Sequence, residues 1–120
     1  MEIIRAKSAG FCFGVANAVE KAFALARSNP ENKIYTFGPL IHNDSVITRL
    51  EQEGVSVITD TESPLLKGTN VIIRAHGISK DILQALVNAD CRILDATCPF
   101  VSKIHRLVEE QYIKGHRIII

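Results

Sequence analysis

The sequence carries almost no excess charge of either sign: 14 lysines and arginines stand against 13 aspartates and glutamates, a net charge of +1. That balance excludes a large electrostatic footprint for nucleic acid or an anionic membrane. Long apolar runs are missing too. The longest is a handful of residues against the roughly 20 that a membrane span requires, and the opening Met1-Glu2-Ile3-Ile4-Arg5 has no signal-peptide core. A cytoplasmic protein is expected. Cysteine is scarce and odd in number, with three in the chain, which fits reduced thiols and metal or catalytic chemistry better than a disulfide scaffold. No Walker sequence and no Gly-x-Gly-x-x-Gly occurs, so nucleotide binding of the familiar kinds has no support. Internal repeats and low-complexity tracts are absent as well.

What is present reads as one domain's worth of globular protein. The chain is 47% hydrophobic and 22% charged over 120 residues, ordinary globular usage. A chain of that length buries roughly 60–70% of its unfolded surface in a single core. Short β-branched runs alternate with helical patterns. Strands are expected at 2–6, 33–37, 55–58, 70–74, 92–95 and 116–120, and helices at 15–28, from Asn43 or Asp44 to Gly54, at 79–89 and at 99–114. Residues 59–69, punctuated by Pro64 and Gly68, form the only plausible linker. The fold class is α/β, a mostly parallel sheet flanked by helices with right-handed crossovers. Ile118-Ile119-Ile120 reads as a strand cut partway along.

Such sheets bind ligands beyond the carboxyl ends of their strands, so the residues after each strand are the informative ones. Cys12 lies in Gly10-Phe11-Cys12-Phe13-Gly14, His42 follows the strand at 33–37, His76 lies in Ala75-His76-Gly77, and Cys98 ends Asp95-Ala96-Thr97-Cys98. Any one of these would commonly be a buried thiol or a solvated imidazole. All four on one rim point to metal or phosphate. Glycines free the backbone around Cys12 to approach a bulky group, and Cys98 opens a helix, whose N-terminus favours an anionic ligand. Cys91 precedes the strand that Cys98 follows, on the order of 15–20 Å away, so it is expected to be an inert packing residue. His105 and His116 read as ordinary helix-face and helix-end residues.

The ordered set Gly10-Phe11-Cys12-Phe13-Gly14-Val15, His42-Asn43, Ala75-His76-Gly77 and Asp95-Ala96-Thr97-Cys98-Pro99 closely resembles the 4-hydroxy-3-methylbut-2-enyl diphosphate reductase family. These are iron–sulfur enzymes that end the non-mevalonate isoprenoid pathway. The resemblance spans all 120 residues as the N-terminal part of a longer family chain. It implies three similar α/β lobes around a cluster, with 1–97 as the first lobe and 98–120 as the opening helix and truncated strand of the second. It implies Cys12 and Cys98 as two of the three thiolates of a 4Fe–4S cluster, the third lying beyond residue 120. His42 and His76 would hold the substrate diphosphate.

The implied reaction is reductive dehydroxylation of an allylic diphosphate to isopentenyl and dimethylallyl diphosphate, with electrons from ferredoxin or flavodoxin. The family's proton-supplying glutamate, its further histidine and its phosphate loop lie beyond residue 120, so no catalytic residue is expected within this chain. Alone, the chain is expected to be inactive and poorly soluble, with an apolar edge exposed. Two other readings use the same residues. Cys12, His42, His76 and Cys98 could form a Cys₂His₂ zinc site in a binding module, or the domain could bind phosphate without metal.

Overall fold

Two four-residue segments, Ile34–Phe37 and Asn70–Ile73, are buried at every position, the pattern of strands covered on both faces. In the computed structural model, which describes residues 1–119, they are the central strands of a four-stranded parallel sheet. The elements run α1 (Phe13–Ser28), β1 (Ile34–Phe37), α2 (Asp44–Gln52), β2 (Val55–Ile58), β3 (Asn70–Ile73), α3 (Lys80–Asn88), β4 (Arg92–Asp95) and α4 (Pro99–Ile113). The order across the sheet is β2-β1-β3-β4. Its register is flush: Phe37 lies beside Ile58 and Ile73, and Ile73 beside Asp95. All four strands therefore release their loops onto one rim.

Each face of the sheet has its own core. On one, α1 lays Ala18, Ala22 and Ala26 against the sheet, and α2 adds Val46 and Leu50, packing with Ile34, Val55 and Ile72. Three alanines let α1 approach closely, while the guanidinium groups of Arg27 and Arg49 each lie over the Phe23 ring, 5.5 and 5.2 Å from its centroid. On the other face, Leu66 and Leu86 meet Phe37 and Val71.

The helix ends follow local chemistry. Asn43 caps α2 by accepting a hydrogen bond from the Val46 N–H at 3.1 Å, and Ser79 caps α3 through the Ile82 N–H at 3.3 Å. Pro99 occupies the first turn of α4, and Gly115, at φ +79, ends it. Replacing Asn43 by Ala is expected to lower stability by about 1 kcal/mol, read as a shift of the urea midpoint with an unchanged slope.

Three expectations are corrected. Residues 2–6 are not a strand: Ile3 and Ile4 are 81% and 85% exposed and no described strand lies beside them. Apolar alternation alone does not make a strand when the backbone has no ladder to join. Residues 116–119 also lie outside any strand, and Ile120 falls outside the described residues. Residues 59–69 are no free linker, because Leu66 is fully buried in the second core. The segment crosses from β2 to β3 without a helix, and Leu66 anchors it. The carbonyl of Leu66 accepts from both the amide and the hydroxyl of Thr69, the latter at 2.7 Å.

No helix among the described residues is long and apolar enough to cross a membrane. Helix α4 buries no residue, and the Lys80–Glu109 ion pair links it to α3.

Candidate functional site

The strand order places a crevice. From β1 the chain moves outward to β2, and from β3 it moves the opposite way to β4, while β1 and β3 are neighbours. Loops diverge at such a switch point, leaving a cleft beyond the carboxyl ends of the two central strands. His42 follows β1 and His76 follows β3, one on each lip.

Backbone hydrogen bonds continue the sheet past its strands and stitch this rim together. The Ala75 N–H donates to the Leu40 carbonyl at 3.2 Å, and the Ala75 carbonyl accepts from the Cys98 N–H at 2.9 Å. Ala75 thus joins the loop of His42 to that of Cys98. Leu40, Ala75 and Ala96 are all buried, which makes the floor dry and fixed.

The His42 and His76 rings stand 5.3 Å apart between centroids, tilted by 37°. Both are exposed, at the mouth of a cavity of about 260 Å³ that Phe11, Val15 and Asn43 also line. The cavity lies at the N-terminus of α2, where backbone N–H groups favour an anion. Two imidazole donors at this spacing can grip neighbouring oxygens of one small polyanion.

Helix α1 begins at Phe13, two residues before the expected start, so Cys12 is its N-cap. Cys98 is the N-cap of α4, and neither thiol is used in a side-chain capping bond. Thiols are outside the usual capping set, which is why the spacing alone placed the start of α1 too late. The two helix starts meet at Gly14. A Cβ on Gly14 would stand 2.3 Å from Cys98 Sγ and 2.9 Å from Cys98 Cβ, so the bare Cα is the seat of the Cys98 side chain. That contact places Cys98 against the turn that Cys12 opens. The sequence marked the glycines around Cys12 as points of close approach, but not that Gly14 is where Cys98 sits.

Two uncommitted thiols suit a soft metal centre, iron–sulfur or zinc. By themselves they do not make one. Among the described residues no three His, Cys, Asp or Glu side chains gather into a metal-holding group, so Cys12, His42, His76 and Cys98 do not assemble the Cys₂His₂ zinc site considered above. A cluster held here needs donors beyond these two thiols.

Cys91 sits away from the rim, packed against the second core with its thiol toward the Leu66 carbonyl at 3.3 Å. Burial pushes its pKa above the ordinary thiol value, and the Asp90 carboxylate adds to the shift, against a weaker opposing hydrogen bond from Thr69. Iodoacetamide should therefore alkylate Cys91 slowly at neutral pH, with the rate climbing into the alkaline range, as mass spectrometry of timed digests would show. His105 packs over Gly77, and His116 binds Gln111 at 2.8 Å at the end of α4.

The LytB protein family matches residues 3–120. The chain belongs to that family. Among its curated LytB relatives, the 4-hydroxy-3-methylbut-2-enyl diphosphate reductase of Caldanaerobacter subterraneus subsp. tengcongensis is 47% identical over 121 residues, covering all of this chain and 42% of the relative. The reductase of Alkaliphilus oremlandii is 44% identical over 120 residues, again all of this chain and 42% of the relative.

Two solved structures share the fold. A structure of (E)-4-hydroxy-3-methyl-but-2-enyl diphosphate reductase, the terminal enzyme of the non-mevalonate pathway, superposes with a TM-score of 0.78 at 39% identity, over 95% of this chain and 40% of that one. The Plasmodium falciparum reductase superposes with a TM-score of 0.84 at 33% identity, over 92% of this chain and 34% of that one. The chain thus spans about two fifths of the length of the LytB relatives it matches.

Proposed function

We propose that the chain supplies the diphosphate-holding and part of the cluster-binding machinery of a 4-hydroxy-3-methylbut-2-enyl diphosphate reductase. In this reading residues 1–97 are its first lobe and 98–120 open its second. The observation that carries the reading is the histidine pair at the switch point, 5.3 Å between rings, on a rim bonded through Ala75 to the Cys98 loop.

Cys12 and Cys98 would each give a thiolate to a 4Fe–4S cluster, a third coming from beyond this chain. An iron–sulfur cluster supplies, when bound, the single electrons that reductive cleavage of an allylic C–O bond requires. His42 and His76 donate to the substrate's diphosphate, and the α2 N-terminus adds its dipole. Phe11, Val15 and Ile41 wall the cavity and keep water from the reacting end. Holding the diphosphate at this fixed rim orients the hydroxyl-bearing end and removes the entropy of aligning it. The electron donor is a ferredoxin or flavodoxin, and the compartment is the cytoplasm. On this reading the chain alone, with two of the three cluster thiolates and without the family's proton-supplying glutamate, is inactive.

Anaerobic purification of the full-length gene product tests this. A brown protein with iron and acid-labile sulfide, both lost in Cys12→Ser, is the expected result. A colourless protein that stays iron-free after reconstitution overturns it.

A further inference from the structure

Arg74 lies between the two histidine loops without belonging to the site described above. It directly follows β3 and is half-buried. Its Nε–H donates to the Gly77 carbonyl at 3.3 Å, while the Gly77 N–H donates to the Arg74 carbonyl at 2.9 Å. The turn that carries His76 is thereby closed from both ends. On either side of Nε, the side chain lies along Gly38, with Nη1 3.2 Å and Cδ 3.6 Å from where a Cβ on that glycine would be. Gly38 has φ +72, and its N–H is fixed to the Ile58 carbonyl of β2 at 2.7 Å. Glycine here allows both the left-handed turn and the close approach of the guanidinium.

Charge pairing does not account for this arginine. Neither ion pair among the described residues includes it. What it offers is a planar fork whose Nε–H binds a carbonyl while Nη1 reaches Gly38, a geometry the compact ammonium of lysine does not reproduce.

We propose that Arg74 is a positioning residue, clamping the His76 turn against the Gly38 end of the His42 loop and so setting the separation of the two imidazoles. The inference rests on the reading of His42 and His76 as diphosphate holders, and adds to it the device that spaces them.

The test uses Arg74→Lys and Arg74→Gln in the full-length gene product, with inorganic pyrophosphate as the probe. Calorimetry should show both variants binding pyrophosphate about tenfold more weakly, the loss expected for a charged hydrogen-bonding group, with thermal midpoints held within a few degrees. In ligand-free protein with labelled histidine, the ring-to-ring NOE between His42 and His76 should vanish in both. Wild-type affinity in Arg74→Lys beside weak binding in Arg74→Gln would mean that charge alone matters and would overturn the proposal. An NOE kept in both variants would overturn it as well. A wild-type protein blind to pyrophosphate counts against the diphosphate reading instead, and the NOE, measured without ligand, still decides the role of Arg74.

Discussion

With Cys12 and Cys98 as the proposed cluster ligands, alanine at position 14 of the full-length gene product is expected to cost most of the bound iron. Gly14 is buried in the first turn of α1, and its φ is not among the positive values that demand glycine. By helix propensity alone, alanine there should be stabilising, by up to about 1 kcal/mol. Space forbids it. The new methyl would meet Cys98 Sγ at 2.3 Å and Cys98 Cβ at 2.9 Å, separations that a rotation about χ1 does not relieve at Cβ. Nor can the Cys98 backbone retreat freely, since its N–H is bonded to Ala75 and its carbonyl to the Ser102 N–H, both at 2.9 Å. The strain falls on the whole Cys98 side chain, whose sulfur must leave its seat against Gly14.

A displacement of about 1 Å is enough to ruin ligand geometry. Iron and sulfide per chain, assayed after anaerobic reconstitution, should drop by more than half in Gly14→Ala, with a circular-dichroism melt that stays cooperative but is lowered by the roughly 1–3 kcal/mol that overpacking costs. Wild-type metal content in that variant would show that the Gly14 seat does not set the thiolate position.

A large loss of stability is expected from residues 59–69, a segment that is neither helix nor strand. Leu66→Ala removes the one fully buried side chain of that crossing segment. It also opens the second core, where Leu66 meets Phe37, Val71 and Leu86. The expected cost is about 2–5 kcal/mol, a large share of the 5–15 kcal/mol typical of a folded domain. The neighbouring Leu65, 51% exposed, provides the comparison: Leu65→Ala should stay within about 0.5 kcal/mol. Urea titrations of the two variants check both. Equal midpoints would mean that the segment is not anchored as described.

That segment also shows where sequence reasoning stops. Pro64 and Gly68 mark a loop correctly, but nothing in a polar stretch reveals that a single leucine within it fills the place a helix would take. The four helices and the strands at β1 to β4 were legible because each has its own periodicity, cap or breaker. Residues 2–6 have the composition of a strand, and no local pattern states whether a neighbour will be present to pair with them.

The candidate site divides in the same way. Cys12, His42, His76 and Cys98 could be picked out because the ends of parallel strands are known places for ligands. The partner of Gly14 and the role of Ala75 could not, since both depend on which loops touch: a methyl forbidden by a sulfur 84 positions away, and one peptide unit bonded to two other loops.

The flush parallel sheet has a consequence for the time the chain takes to reach this state. Every ladder joins distant positions: Ile34 pairs with Val55 and Asn70, and Asn70 with Arg92. Among these strands there is no hairpin to nucleate pairing locally, so loop closure must be completed before any inter-strand bond forms. The helices can form early and cheaply, whereas β1, the partner of both β2 and β3, waits for both long closures. During that delay the apolar segments at 34–37 and 71–73 face solvent together, and a nascent chain is most exposed to self-association in that interval.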